Sequence, residues 1–532
     1  MTRLLLFTLL VGAPLGAQCE LTKLTSSDLA AGDRFGNGVG IDGDVAIVGA
    51  PFDPNGASAS GSAYIFRKVG GTWVEEQKLT HGDPDNNDHF GEAVAIAGNV
   101  AVCGMEDDDD VLNGAGSAYV FVHDGVSWVF QQKIPNPDPE TSEDFGWAVA
   151  TNGLKIAIAA KQDNSVVSDS GAVYVYRLSG ATWVLEKKLK ASDPEEDANL
   201  GYSLDYSGDV IVAGAWQKND LGSLSGAAYI YRDFGGTWPQ EAKLLASDGQ
   251  QFDWFGKSVA VDGDLVAVGA YRADDAGNDG PGAVYVFRRV GGVWGEEAKL
   301  VPSDYVGDDS NGWSCGISGN RVYVGSRRNP EQGFSSGAVY VFDYDGVSWN
   351  ETVKLAAPDG LGGDELAWEL YADGDAVIAG AYAADPAGSF SGAAYIWELP
   401  GEGCLYALPP TVTLGTGGTV DFFLAGGEAH AGELHVVLGT TTGTAPGILV
   451  DGFLLPLNFD AYTQLTLTDP TVISGGVGNL GTAGQGKASL TLPAGLNPAL
   501  AGTTVHHAFA LLDLGTFTVS QTSNAVGTVL GP

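Results

Sequence analysis

Residues 35–51 read Phe35-Gly36-Asn37-Gly38-Val39-Gly40-Ile41-Asp42-Gly43-Asp44-Val45-Ala46-Ile47-Val48-Gly49-Ala50-Pro51. Two short apolar runs flank an Asp-Gly pair, which supplies the positive φ angles of a two-residue hairpin turn. Tyr64-Ile65-Phe66, Gly70-Gly71, Trp73 and Lys78-Leu79 follow, giving a third and a fourth run around a second tight turn. The whole phrase then recurs. Its opening pair returns as Phe90-Gly91, Phe145-Gly146, Leu200-Gly201, Phe255-Gly256, Asn311-Gly312 and Leu366-Ala367. The tryptophan returns as Trp128, Trp183, Trp238, Trp294 and Trp349. A spacing of roughly 55 residues marks a stacked or radial array of one supersecondary unit.

Each copy resolves into four alternating runs rich in β-branched and aromatic residues, with no helical period. The fold class is therefore all-β. Tight turns after the first and third runs make each copy a four-stranded antiparallel meander, and seven of these arranged radially make a β-propeller, which leaves only short sheet edges. The seventh copy ends at Tyr395-Ile396-Trp397 without a fourth run, whereas Lys23-Leu24 stands one period before Lys78-Leu79. The segment near the N-terminus is thus expected to close the ring as the outer strand of the last blade. Cys19 precedes that strand and Cys404 follows the last run; a disulfide between them would latch the ring. Cys103 and Cys315 fall on strands of different blades and read as buried free thiols.

The 532 residues include 78 Gly and 23 Pro, with 44% apolar residues and a formal charge of −40. This composition belongs to a turn-rich β protein and not to a disordered one. Residues 405–532 hold seven Asp or Glu against one Lys, so the acid lies in the repeats. Such a field argues against nucleic-acid partners and anionic membrane surfaces. Arg3, the apolar Leu4–Val11 and the small residues Leu15-Gly16-Ala17 read as an export signal over 1–17. No later segment approaches the ~20 apolar residues of a transmembrane helix. The mature chain is expected to be secreted, extracellular or on the cell surface.

Phe35-Gly36 followed by Gly49-Ala50-Pro51 resembles the FG-GAP repeat of the integrin α-subunit propeller. It is more similar still to bacterial secreted FG-GAP proteins that carry Asp-x-Phe-Gly, Gly-Ala, Gly-x-x-Tyr-x-Phe and Gly-x-x-Trp. The resemblance covers residues 18–404 and implies a seven-bladed propeller that recognises partners in adhesion, often with calcium in the turn between the first two strands. Here that turn, Ile41-Asp42-Gly43-Asp44, is too short to wrap a six- to eight-coordinate ion, so those calcium sites do not transfer.

The two long connections of each blade should emerge on one face, where functional sequence concentrates. One acid recurs there in all seven copies, as Asp28, Asp83, Asp138, Asp193, Asp248, Asp304 and Asp359. A second follows five residues on at Asp33, Asp88, Glu143, Asp253, Asp309 and Asp364, with Ala198 the exception. Seven equal copies fit loop scaffolding, in which carboxylates accept hydrogen bonds from loop amides. Where acids crowd, at Asp83, Asp85 and Asp88, oxygen-only ligation makes them the candidate calcium ligands; no cofactor is required. Gly312-Trp313-Ser314-Cys315-Gly316 fits Gly-x-Ser-x-Gly but lacks the strand-to-helix elbow of a nucleophile. The in-phase Trp and Tyr read as packing anchors.

Beyond Cys404 the period stops, and short runs separated by Gly and Pro over 405–532 read as a small β-sandwich. The functional expectation is a non-catalytic binding or adhesion protein whose long-loop face takes an extracellular protein or glycan. A carbohydrate-active hydrolase or lyase is the alternative, since two carboxylates across a propeller mouth can act as acid and base. Against it, no blade stands out by an inserted loop or a unique acid-base cluster. A structural cell-envelope protein is the third reading.

Overall fold

The computed structural model describes residues 20–399 except 274–279, 306, 308 and 331, and the backbone of the strands from 404 onward. The chain divides into two compact units, Leu21–Trp397 and a second of Met1–Glu20 with Glu398–Pro532. The first unit holds seven four-stranded sheets. In blade one the strands are β2 (Val39–Asp42), β3 (Val45–Ala50), β4 (Ser62–Val69) and β5 (Thr72–Leu79), in the order β2-β3-β4-β5 from axis to rim. β1 (Glu20–Leu24) pairs with Ala393–Glu398 as the outermost strand of the seventh blade. The ring is closed as the repeat phase requires. The expected signal at 1–17 and the Cys19–Cys404 pair lie outside the described residues. Among the described residues Cys103 and Cys315 are buried free thiols; burial raises both, Cys315 to about 12.

The repeated letters have physical reasons. Arg34, Phe35, Gly36 and Asn37 form a turn closed by Asn37 N–H donating to the Arg34 carbonyl at 3.2 Å. Phe35 is fully buried and meets Tyr64 edge-on at 5.6 Å. Gly36 has φ +91, and a Cβ there would sit 2.2 Å from the Ala393 carbonyl oxygen. The Gly of Gly-Ala is dictated by the neighbouring blade: a Cβ on Gly49 would lie 1.9 Å from the Gly91 carbonyl oxygen, and one on Gly104 2.0 Å from that of Gly146. Backbone therefore touches backbone between blades. The tryptophans wedge between sheets, and several indole N–H groups reach back one blade: Trp183 donates to Gln131 and Trp238 to Glu186, both at 2.8 Å. Each blade's apolar face thus packs on the next, as blade one does on blade seven through Ile378, Ala394 and Ile396,.

The short Asp-Gly turn staples neighbouring blades. Asp42 accepts from Gly98 N–H, and Asp373 accepts from Gly43 N–H at 2.8 Å. In the second unit, one sheet orders Cys404–Leu408, Gly418–Ala425 and Gln485–Leu492. A larger sheet includes Leu434–Thr440 beside Thr504–Asp513. No helix among the described residues is long and apolar enough to cross a membrane.

Candidate functional site at the mouth of the central channel

The sevenfold acids are scaffold. Asp28 accepts from the Tyr64 hydroxyl at 2.8 Å and from Lys78 Nζ at 2.7 Å. The same triplet recurs as Asp193 with Tyr229 and Lys243, and as Asp359 with Tyr395 and Lys23. In the last of these the lysine comes from β1, so the triplet also fastens the ring closure. Burial alone would raise these carboxyls, but the lysine and tyrosine partners hold Asp28, Asp193, Asp248 and Asp359 below the usual value. The partners are side chains of the following blade, not the loop amides expected from sequence.

The second acids do accept loop amides. Asp33 takes Ala30 N–H at 2.6 Å, Asp253 takes Gln250 N–H at 2.7 Å, and Asp364 takes Leu361 N–H at 2.8 Å. The exception at Ala198 is compensated. In blades one to three a buried third acid, Asp53, Asp108 or Asp163, faces the lysine of the triplet. Blade four replaces that acid with Lys218, whose Nζ binds Glu195 at 2.6 Å and the Asp193 carbonyl at 2.9 Å. Two acids are lost, at Ala198 and at Lys218, and one cation is gained.

The structure places the candidate calcium residues in this same scaffold. Asp83 accepts from Tyr119 at 2.5 Å and Lys133 at 2.9 Å, and Asp88 accepts from Asp85 N–H at 2.7 Å. Among the described residues no group of three or more His, Cys, Asp or Glu side chains is disposed to hold a metal ion.

The symmetry breaks at the channel mouth, contrary to the expectation that no blade stands out. A cavity of about 580 Å³ runs along the axis between the seven inner strands. The residue after each Phe-Gly lines it, and the seven residues are Asn37, Glu92, Trp147, Tyr202, Lys257, Trp313 and Trp368. The residue before each Phe is Arg34, His89, Asp144, Asn199, Trp254, Ser310 or Glu365, all at positive φ between 53 and 59. The residue after each Gly-Ala is Pro51, Glu106, Lys161, Trp216, Tyr271, Arg327 or Tyr382. One backbone, including a left-handed residue that favours Gly or Asn, is spent seven times to present side chains that vary between blades.

These residues form two arcs. Trp147, Tyr202, Trp216, Trp254, Tyr271, Trp313, Trp368, Tyr382 and Phe390 make an unbroken run of ring contacts with centroids 4.5 to 6.5 Å apart. Cations lie on them: Lys257 Nζ is 4.8 Å from the Tyr202 centroid and 3.9 Å from that of Trp313, and the Arg327 guanidinium is 3.6 Å from Trp313,. Glu92 and Glu106 stand on the opposite arc. Burial raises both carboxyls, and the charge of Glu92 adds to the rise at Glu106.

Burial lowers Lys257 to about 7, with Glu369 opposing and Arg327 and Lys161 reinforcing the shift. Burial raises Glu369 to about 7 against the pull of Lys257. Both side chains keep accessible surface inside the channel, Glu369 the more of the two, but protein encloses that space, so few solvent dipoles are free to stabilise either charge. Lower in the channel, Asp205 of blade four meets the Tyr371 hydroxyl of blade seven at 3.4 Å. Five of the seven blades carry only Gly or Ala at that level, namely Gly40, Ala95, Ala150, Ala260 and Gly316. The bridge spans the axis there, and burial raises Asp205 to about 6 despite bonds from Val261 and Tyr206 N–H.

Comparison with known families agrees with this architecture. The model of the FG-GAP repeat matches seven times, at 19–66, 73–121, 128–176, 183–231, 238–287, 294–342 and 349–397. The chain belongs to the FG-GAP repeat family. No curated protein matches it. Each FG-GAP match runs from the outer strand of one blade through the third strand of the next, so the family unit straddles the interface that the Tyr-Asp-Lys triplets fasten.

Proposed function

We propose that this FG-GAP propeller is a non-catalytic binding protein that takes a glycan or protein at its channel mouth. The reading includes export to the cell surface or medium, as in bacterial secreted members, with residues 405–532 forming an appended β-sandwich. One observation carries it: three positions per blade vary around the mouth on a backbone that does not, and five blades contribute to one aromatic arc. A scaffold gains nothing from such variation, whereas a recognition surface is defined by it.

A glycan and extracellular-protein array probed with the purified chain tests this. Trp313→Ala with Trp368→Ala should abolish the strongest signals while leaving thermal unfolding cooperative. Signals unchanged in that variant would overturn the reading. A second reading, a carbohydrate-active enzyme, draws on the raised carboxyls Glu92 and Glu106. Release of reducing ends from an array hit, lost in Glu106→Gln, would favour it.

A further inference from the structure

We infer that the mouth takes an acidic sugar residue, its carboxylate or sulfate seated at Lys257 between Tyr202 and Trp313. This rests on the binding reading above and names the ligand's chemistry. The starting observation is how this chain holds its cations. The triplet lysines each sit on carboxylates, as Lys188 does on Asp138 and Lys243 on Asp193. Lys257, Arg272 and Arg34 rest on aromatic rings instead. For none of the three does a carboxylate approach within 4 Å among the described residues. An aromatic face fixes a cation without neutralising it. Lys161 and Arg327 are paired with Asp144 and Glu365, but in a chain of charge −40 Lys257, Arg272 and Arg34 keep their charge unpaired by a close carboxylate.

The remaining polar groups say what else the ligand carries. Trp216 Nε1 and Trp254 Nε1 are buried donors without a partner, and Glu106 Oε2 is a buried acceptor without one. Buried polar atoms left this way cost free energy until a partner arrives. Hydroxyl groups, which both donate and accept, satisfy both kinds. An acidic peptide offers the anion but also presses further carboxylates toward Glu92 and Glu106. A sugar bearing one anion and several hydroxyls meets the whole set. The Asp205–Tyr371 bridge floors the pocket below Lys257's ring of residues.

Titration supports the geometry. The groups facing Lys257 are Tyr202, Trp313, Glu369, Arg327 and Lys161. Near pH 7 a bound anion would draw a proton onto Lys257, whose folded value is about 7. Above pH 7 Lys257 loses its charge and Glu369 gains one, and both changes weaken anion binding. The signs agree: affinity should fall as pH rises.

Calorimetric titration of the full chain at pH 6 and pH 8.5 decides the matter, with glucuronate-bearing, sulfated and neutral trisaccharides as probes. The wild type should bind one of the acidic probes at least about tenfold more tightly than the neutral one, and more tightly at pH 6, with proton uptake. The two acidic arms separate carboxylate from sulfate. Lys257→Met should lose the preference, and Lys257→Arg should keep it with a smaller fall between the two pH values, the remainder coming from Glu369. Equal affinity for acidic and neutral probes, or an unaltered preference in a folded Lys257→Met, overturns the inference. If neutral sugars bind and Trp313→Ala abolishes this, the mouth reading stands and the anion is wrong. If no probe binds the wild type, the inference falls, and the mouth reading rests on the array alone.

Discussion

Two rings of residues on this propeller are built from the same loops and teach opposite lessons. The peripheral ring repeats Tyr, Asp and Lys seven times, and each group finds its partner in the copy next door. The ring at the mouth repeats only its backbone, and its side chains differ in nearly every blade. Where the residue is constant, the interaction is internal. Where the backbone is constant and the residue varies, the proposed reading is that the constancy aims side chains at a ligand.

The sharpest way to break that comparison is at the blade contacts, where constancy is most severely enforced. Gly104→Ala places a methyl 2.0 Å from the Gly146 carbonyl oxygen. Because the neighbour is backbone and cannot swing away, we expect a loss of about 3 kcal/mol, read from urea unfolding. Blade three carries Ala159 at the equivalent position, so Ala159→Gly should change stability by about 1 kcal/mol or less. Equal effects would mean that the blades do not set the Gly requirement.

The next effect is at the peripheral ring. Tyr174→Phe removes the hydroxyl that donates to Asp138 and Asp163, leaving Asp163 buried with fewer donors. A loss of about 1–2 kcal/mol is expected, against little change for Asn37→Ala at the mouth. A mouth variant costing as much would erase the distinction between the two rings.

Acidification gives a smaller, signed effect. A carboxyl whose folded value is depressed adds stability above its unfolded value, and this is lost as pH falls through the folded value. Asp248 is such a group: burial opposes, but Lys299 and Tyr285 lower it. Asp248→Asn should therefore flatten the loss of stability below about pH 4, by no more than about 1 kcal/mol because the aspartate is half-exposed,. Asp364 runs the other way, raised by burial, and Asp364→Asn should leave the acid limb intact. Calcium should do least. With Asp83 engaged by Tyr119 and Lys133, a millimolar addition is expected to leave the unfolding midpoint unmoved. A shift abolished by Asp83→Asn with Asp88→Asn would make those acids ligands.

Blade number, meander order and ring closure were legible in the sequence because each depends on residues that agree at a fixed spacing. Phe35, Gly49, Tyr64 and Trp73 announce their roles by recurrence. The fold followed from them. The mouth was harder to see for the complementary reason. Asn37, Glu92, Trp147, Tyr202, Lys257, Trp313 and Trp368 share a column with no constant residue, and a search for agreement passes over it. The signal was present as disagreement beside an invariant Gly-like turn. The Asp205–Tyr371 bridge joins residues 166 apart and becomes a contact only once the ring is drawn. Partners of the acids were also hidden, since Asp28 sits in the connection after β1 and Tyr64 on β4, 36 residues on.

β1 has a further consequence, in the order of events. Glu20–Leu24 precedes all seven Phe-Gly turns along the chain, and its strand partner Ala393–Glu398 follows them. Blades one to six can each assemble from contiguous chain as it emerges. The earlier strand must wait, unpaired, until the last blade arrives, and its closure is the longest-range and slowest kind of contact to form. Lys23 then reaches Asp359, and beginning and end are joined in one sheet. Until that moment the propeller is an open arc whose last sheet lacks its outer strand, and afterwards it is a closed ring.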